Sequence, residues 1–384
     1  MSNLPEEMIT NILSRLPVKP LLQFKSVCKS WYSLINDPIF IKMHLKHATR
    51  NNNLNAMYFD ASNIYTTDYD TLLTEAIEVN FPFKSSKTVV DYYGSCNGLV
   101  CLDVNSNIVI WNPSTKEFKK LPLSCEVFSK RAKGSVATLL SGFGYDPNLD
   151  DYKVVKAMQY SNGNDFVGSE FEVYSLEKDS WRKVDGAPYY ICGGNSLFGF
   201  ENPHWLAMTG RWTFESKCIV YFDLVEEKFY EIQHPDCVNN LMKVGLLGGS
   251  LYILDDNETW SDIWVMKDYG VKGLWNKLFT ISHTCQYFRI LRFSENGKVL
   301  FGPINQDLVL YDPELEKAKY LEVHGISKMC CAEVYVGSLV SLKTGTYVGQ
   351  EQAKRDSIRT TGLKRRFDAE GAEQAEYMGA AEQK

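Results

Sequence analysis

One short motif in this sequence has the residue types of a nucleophile. Gly94-Ser95-Cys96-Asn97-Gly98 places a cysteine between two glycines, in the pattern of a nucleophile elbow. An elbow requires a strand, a sharp turn and a helix, with a histidine and an acid as partners. Here the residues from Leu99 to Cys101 continue as a strand. We therefore expect the glycines to flank the start of a strand, and we predict no catalytic residue.

The histidines and carboxylates do not follow the spacing of a metal site. His44 and His47 lie close together but lack nearby thiol or carboxylate ligands, and no HxxxH or HExxH pattern occurs. The acidic group between residues 255 and 262 lacks the order of a calcium loop. No glycine-rich phosphate loop opens a helix. The sequence predicts no metal and no cofactor.

The remaining candidates for chemistry are large side chains that could bind another protein. Trp, Tyr and Arg are enriched in binding hot spots, and loops on a rigid scaffold usually carry recognition. The candidates for substrate binding are Tyr189, Trp205, Arg211, Trp212, Trp260, Tyr287 and Arg289. Each of them could instead pack in a core, because large aromatic side chains dominate core packing.

The net charge, the N-terminus and the cysteine spacing argue against several classes of partner and cellular compartment. A net charge of −6 over 384 residues gives no support for binding nucleic acid or an anionic membrane. The N-terminus lacks the basic flank and apolar run of a signal peptide, and no apolar run is long enough to span a membrane. The 10 cysteines show no CxxC pair, which is typical of reduced thiols. We expect a protein of the cytosol or nucleus.

The first 45 residues carry apolar residues at helical spacing. Leu4-Pro5-Glu6-Glu7 is a helix start, since proline and acidic residues suit the first turn. Pro17 and Pro20 should end this helix near Leu16. The three apolar sets are Met8, Ile9, Ile12, Leu13 and Leu16; then Leu21, Leu22, Phe24 and Val27; then Trp31, Leu34 and Ile35, ended by Asn36-Asp37-Pro38. Three short helices cannot bury all these faces among themselves, so we expect some apolar surface to await a partner.

From about residue 54 to 343 the pattern changes to short strands, and a repeat becomes visible. Five segments carry an aromatic residue in a strand, usually followed by an Asx or Ser turn. The aromatic anchors are Trp111, Tyr174, Phe222, Trp264 and Tyr311. After Trp111, Tyr174, Phe222 and Tyr311, the next strand begins seven residues after the anchor. After Trp264, an insertion delays the next strand to Trp275. Each unit is predicted to be a hairpin with a polar turn.

The spacing of these anchors predicts a β-propeller-like domain. Separations of 63, 48, 42 and 47 residues are typical of four-stranded blades. The region should hold about six blades, with glycine-rich strands such as that at Gly94 on the inside. The weaker sixth blade could combine strands around residues 57–60 and 77–81 with a C-terminal strand at 332–342.

Three segments follow from these patterns. Residues 1–45 form a three-helix module, residues 46–343 form the propeller-like domain, and residues 344–384 form a tail that is predicted to be disordered. The fold class is mainly β with a small N-terminal α module. Two basic clusters in the tail leave open a bipartite nuclear signal.

The helical module resembles an F-box. The resemblance rests on Leu4-Pro5-Glu6-Glu7, on Leu16-Pro17-Val18, on residues 21–31 up to Trp31, and on Leu34 to Pro38 followed by Phe40. It covers the whole module in order and spacing. The resemblance implies docking onto a Skp-type adaptor, which connects an F-box protein to a cullin and a RING protein in a ubiquitin ligase.

The same resemblance implies roles for individual residues. The adaptor contacts would be Leu4, Pro5, Met8, Ile12, Leu16, Pro17, Val18 and Leu22. The core of the module itself would be held by Val27, Cys28, Trp31 and Leu34. The alternative is that all these residues pack a helical cap onto the β domain.

The β region resembles the F-box-associated, kelch-like domain of plant F-box proteins. The matching stretches include residues 94–101, Trp111-Asn112-Pro113, residues 142–147 and residues 172–176. This group includes S-locus F-box proteins, which recognise stylar ribonucleases in self-incompatibility, and F-box proteins that act on immune receptors. The resemblance implies a non-catalytic receptor that brings a protein substrate to the ligase for ubiquitination and proteasomal degradation.

Two alternatives belong to other classes of function. An F-box protein can act without the ligase as a scaffold that only binds the adaptor. An enzyme or sugar-binding propeller would require clustered carboxylates or a metal constellation on one face, and the sequence shows none.

Overall fold

In the residues that it describes, the computed structural model has four helices at the N-terminus, followed by five β-sheets, one of eight strands and four of four strands. It describes residues 5–51, 54–60, 62–67, 75–85, 88–124, 136–162, 165–197, 202–208, 217–235, 237–238, 241–247, 250–256, 259–266, 275–282, 290–293, 297–304, 307–326, 329 and 331–348. The helices are α1 (Glu6–Leu13), α2 (Val18–Phe24), α3 (Lys29–Ile35) and α4 (Pro38–Arg50).

The prediction of three helices was wrong, because Asn36-Asp37-Pro38 both ends α3 and starts α4. The Asp37 carboxylate accepts hydrogen bonds from the backbone N–H groups of Ile39 and Phe40, and Pro38 occupies the first helical position. An acidic N-cap followed by proline is a strong helix start. Helix α4 therefore runs past residue 45, the predicted end of the module.

Six four-stranded blades follow, as the repeat predicted. Blade 1 combines β24 (Cys331–Val336), β1 (Leu54–Phe59), β2 (Ile64–Thr67) and β3 (Ile77–Val79). Blade 2 is β4 (Val90–Cys96), β5 (Leu99–Val104), β6 (Asn107–Trp111) and β7 (Phe118–Lys120). Blade 3 is β8 (Val136–Asp146), β9 (Asp151–Asn162), β10 (Asp165–Ser175) and β11 (Ser180–Val184).

The second half of the ring repeats this arrangement. Blade 4 is β12 (Tyr190–Leu197), β13 (His204–Met208), β14 (Lys217–Asp223) and β15 (Lys228–Ile232). Blade 5 is β16 (Leu241–Leu247), β17 (Ser250–Asp256), β18 (Trp260–Met266) and β19 (Trp275–Ser282). Blade 6 is β20 (Ile290–Phe293), β21 (Val299–Ile304), β22 (Asp307–Asp312) and β23 (Lys317–Leu321). Blades 3 and 4 are also joined by one parallel pair, Ser141 and Asn195.

The hydrophobic cores lie between neighbouring blades. On β1, Met57 and Phe59 pack toward blade 2, whereas Tyr58 packs toward blade 6. On β6, Trp111 packs toward blade 1 and Ile110 toward blade 3. This alternation follows from the period of two along a strand, which sends successive side chains to opposite faces of a sheet. Burial of both faces explains why the blade strands carry so many large apolar residues.

The seven-residue spacing of the repeat has a simple geometric origin. Trp111 pairs directly across the hairpin with Phe118, and Tyr174 pairs in the same way with Trp181. The turn between the two strands is held by its first polar side chain: Asn112 accepts hydrogen bonds from the N–H groups of Ser114 and Thr115. An Asx turn of this kind fixes the loop length and hence the register.

The ring is closed by pairing the two ends of the β region. β24, from residues 331–336, pairs antiparallel with β1, which begins at Leu54. The predicted sixth blade is therefore present, with its C-terminal strand ending at Val336 rather than at residue 342. Closure removes the open edges that a linear sheet array would expose.

Beyond β24 the chain continues as a segment, residues 337–348, that crosses blade 2; we call it the strap. The Asn112 amide donates hydrogen bonds to the carbonyl oxygens of Ser338 (3.1 Å) and Val340 (2.7 Å). The buried Glu117 carboxylate accepts from the N–H groups of Leu342 and Thr344, both at 2.9 Å. Residues 344–348 of the predicted tail are thus bound to the blade, and residues 349–384 lie outside the described residues.

Gly98 permits the close approach of the strap. Its φ is +80°, and an added Cβ would lie 2.2 Å from the Ser338 Cβ and 2.6 Å from the Val336 carbonyl oxygen. Gly297 has a similar φ of +75°, but nothing lies within 4 Å of its added Cβ. Both glycines therefore have a left-handed backbone, but only Gly98 lies against another segment, the strap.

We predict that Gly98→Ala lowers the free energy of unfolding by about 3 kcal/mol, and that Gly297→Ala lowers it by about 1 kcal/mol. The difference measures the clash with the strap, and urea denaturation of the two purified variants would determine it. Equal losses in the two variants would show that the strap does not press on Gly98.

Candidate functional site

The helical module has a small core to which the propeller contributes one residue. Leu13, Leu21, Ile35 and Phe40 come from the four helices and are at most 3% exposed. Leu339 of the strap, 2% exposed, completes the same cluster. The module is therefore fixed to the strap by packing as well as by chain connection.

Helix α1 has apolar residues on two faces. Ile9 and Leu13 face the core, whereas Met8 and Ile12 point outward and are each 51% exposed. Pro5, the N-cap, is also exposed, and its carbonyl oxygen accepts the N–H groups of Met8 and Ile9. An outward pair at i and i+4 forms one continuous apolar stripe. These three predicted adaptor contacts are accessible in the structure.

The other predicted adaptor contacts lie near the connection between α1 and α2. Pro17 is exposed, and Leu16 and Leu22 are half-buried against the core of the module. Val18 is only 8% exposed and belongs to that core, facing Gly337 of the strap, so the prediction that it contacts the adaptor was wrong. Leu4 lies outside the described residues.

Two of the four predicted core residues are on the surface. Val27 is 62% exposed and Cys28 is exposed, because both lie in the turn that joins α2 to α3 rather than on a helix face. Trp31 and Leu34 do pack against the core, and the Trp31 ring meets Phe24 edge-on at 5.3 Å between centroids. The prediction was therefore wrong for Val27 and Cys28.

Two exposed apolar residues were missed by the sequence reasoning. Tyr32 on α3 is 57% exposed and Ile39 on α4 is 79% exposed. The signal for Ile39 was the Asp37-Pro38 pair, which starts a helix whose second residue faces away from the core.

The predicted substrate-binding residues are not gathered into one site. Trp205 is 1% exposed in the core between blades 3 and 4, so the prediction that it binds a substrate was wrong. Tyr189 is half-buried against the same core, and Trp260 is a half-buried residue at the start of β18. Arg211, Trp212, Tyr287 and Arg289 lie outside the described residues.

A cleft of about 680 Å³ lies where the helices meet the propeller; we call it the junction cleft. It is lined by residues 14–20, 22, 44, 47, 48 and 51 of the helical module and by residues 55, 66, 113, 114, 116, 335 and 337 of the propeller and strap. Burial lowers the pKa of His44 and of Lys116 in this cleft, because the charged form of each loses solvation. The neutral form of each group is thus favoured in the cleft.

Two further observations bear on chemistry. Among the described residues, no group of three or more His, Cys, Asp or Glu side chains could hold a metal ion. Within the same part of the chain, no helix is long and apolar enough to cross a membrane.

Comparison with known proteins identifies both parts of the chain. Residues 1–43 match the model of the F-box domain, and residues 46–340 match that of the F-box associated beta propeller domain. F-box protein CPR1 of Arabidopsis thaliana is 30% identical over 412 aligned residues, covering 96% of this chain and 98% of the relative. An F-box/kelch-repeat protein of the same plant is 29% identical and covers 88% of this chain and 96% of its own length.

The role of Leu339 in fixing the helices can be tested against its neighbour Leu342. Leu342 has the same side chain in the same strap, but it packs between blades 2 and 3. We predict that Leu339→Ala lowers the stability of the helical module by about 2–4 kcal/mol and speeds amide hydrogen exchange in α1 to α3. Leu342→Ala should speed exchange in the two blades and leave the helices protected. Unchanged helix protection in Leu339→Ala would contradict the proposed attachment.

Proposed function

Because this chain belongs to the family of plant F-box proteins with an F-box associated β-propeller domain, we propose that it is the substrate-recognition subunit of a Skp–cullin–F-box ubiquitin ligase. In this function the helical module binds a Skp-type adaptor, which connects it to a cullin and a RING protein. The propeller captures a protein, which is then ubiquitinated and degraded by the proteasome.

The observation that carries the proposal is the outward stripe of α1. Met8 and Ile12 expose about half of their surface although the core of the module is already complete without them. Exposed apolar residues arranged along one helix face are typical of a surface that a partner covers. Pro5, the N-cap of α1, and Pro17, the N-cap of α2, are also exposed.

The contribution of this chain to ubiquitination would be proximity. A receptor that holds a target on a rigid scaffold raises the target's effective concentration at the active site of another protein. The attachment of the helices through Leu339 supports this, since it keeps the adaptor-binding face and the propeller in a fixed relation. No residue of this chain then needs to act on the bond being made.

In this proposal the propeller binds the substrate. Of the candidates, Tyr189 and Trp260 keep part of their side chains accessible. Within the family, the target classes implied by the resemblance are a stylar ribonuclease, in self-incompatibility, and an immune receptor. The cytosol, with or without the nucleus, is the compartment in which the ligase would meet either target.

We predict that the double variant Met8→Ala/Ile12→Ala binds a Skp-type adaptor about 30-fold more weakly than the wild type. Each substitution would weaken the free energy of adaptor binding by about 1 kcal/mol, because the adaptor would cover less apolar surface. Isothermal titration calorimetry with purified adaptor would measure the change, and circular dichroism would confirm that both parts of the chain remain folded.

Ile39→Ala is the matched control, since Ile39 is more exposed than Ile12 but lies on α4, outside the predicted adaptor contacts. It should bind the adaptor with wild-type affinity. Failure of the wild type to bind several adaptor paralogues would refute the proposal.

Identification of the target uses the same double variant. Proximity labelling under proteasome inhibition should enrich one ubiquitinated protein with the wild type, and the double variant should label the same protein without its ubiquitin. A ribonuclease would assign the chain to self-incompatibility, and an immune receptor would assign it to immune regulation. Adaptor binding with no ubiquitinated neighbour would instead favour a scaffold that acts without the ligase.

A further inference from the structure

The junction cleft has the dimensions of a small-molecule site. Its volume of about 680 Å³ falls within the range of ligand pockets, roughly 300–1,000 Å³. The walls come from two parts of the chain: the α1–α2 connection, α2 and α4 on one side, and blades 1 and 2 with the strap on the other. Clefts between domains are a preferred location for ligands.

The charge of the cleft is opposite to that of the protein. Arg15, Lys19 and Lys116 line it, and among the described residues no aspartate or glutamate does. The whole chain has 47 acidic and 41 basic residues, so an all-basic cleft departs from its composition. Clefts lined by charges of one sign concentrate ligands of the opposite sign.

Lys116 is held in this cleft by its backbone. Its φ is +67°, its N–H donates to the Asn112 carbonyl oxygen at 2.8 Å, and its own carbonyl oxygen accepts from Val348 at 2.9 Å. The ammonium lies 5.8 Å from the centre of the Trp111 ring. Within the described part of the chain, neither Lys116 nor Arg15 forms a salt bridge. Both cations remain available to an anion.

His44 supplies a second, neutral feature of the cleft. It is 2% exposed, and its Nε2 lies 2.9 Å from the Leu16 carbonyl oxygen, which can only accept. Nε2 therefore carries the proton, and Nδ1 is a buried acceptor with no hydrogen-bond partner among the described residues. Because Nδ1 exposes almost no surface, the charge of the cleft rests on Arg15, Lys19 and Lys116.

We propose that the junction cleft binds a small anion that carries two phosphate groups, such as a sugar bisphosphate or pyrophosphate. Arg15 of the α1–α2 connection and Lys116 of the blade 2 turn bind the phosphate oxygens. Because Leu16 and Pro17 also line the cleft, the ligand contacts the α1–α2 connection and joins the F-box to the propeller. This site goes beyond the proposed receptor function and does not depend on it.

The test uses the full-length protein without adaptor. Titration calorimetry with fructose 1,6-bisphosphate should give saturable binding that weakens as salt is raised, because exposed charges are screened. Pyrophosphate should also bind, since it carries two phosphate groups, and fructose, which carries none, should not bind.

Charge variants locate the site. Arg15→Gln and Lys116→Gln should each weaken fructose 1,6-bisphosphate binding about tenfold, the effect of losing one hydrogen bond to a charged group. Lys116→Arg should keep the affinity, because it retains the charge. Lys46→Gln is the matched control: it removes one exposed cation from α4, outside the cleft, and should change nothing.

Three results would overturn the proposal. The first is the absence of binding by both fructose 1,6-bisphosphate and pyrophosphate, and the second is binding that Arg15→Gln and Lys116→Gln leave unchanged. The third is loss of adaptor affinity in these two variants with no sugar-phosphate binding by the wild type, which would make the cleft part of the adaptor surface. Thermal melting of each variant would separate a lost site from a lost fold.

Discussion

The hydrogen bonds between the blade 2 hairpin and the strap are the constraint on which the rest of the structure depends. Asn112 and Glu117 lie at the two ends of one turn, and together they fix four backbone groups of residues 338–344. The strap follows directly from β24, the strand that closes the ring, and it carries Leu339 into the core of the helices. This hairpin therefore anchors the segment that follows the closing strand and, through Leu339, the position of the F-box.

This arrangement suits the proposed function, that of a receptor that works by proximity. If the propeller swung freely about the F-box, a bound target would sample many distances from the enzyme that transfers ubiquitin. A fixed geometry keeps the lysines of the target within a limited region. The exposed pair Lys42 and Asp150, 3.0 Å apart, adds a contact between α4 and blade 3, but an ion pair at the surface contributes little stability. The apolar contact at Leu339 is the stronger attachment, because a fully buried leucine contributes about 1.5–3 kcal/mol.

The parts of the fold that could be predicted from the sequence were those set by local spacing. The hairpins were predictable because seven residues separate the paired positions Trp111 and Phe118, and an Asx turn fixes that length. Burial within the F-box was predicted less well, since Val18 and Val27 have the same side chain and differ only in what lies against them. Val18 faces the strap and is buried, whereas Val27 lies in a turn and is exposed. A contact with residues more than 300 positions away leaves no periodic signal near Val18.

The identity of residue 112 shows that a single residue type can nevertheless encode such a long-range contact. At the corresponding turns of blades 4 and 6 the residue is aspartate, Asp223 and Asp312, and each carboxylate accepts two backbone N–H groups as Asn112 does. A carboxylate can only accept, whereas an amide also has two N–H donors. Asn112 uses its oxygen for the local turn and its nitrogen for the carbonyl oxygens of Ser338 and Val340. Asparagine in place of aspartate therefore gives one of several similar hairpins the capacity to bind the strap.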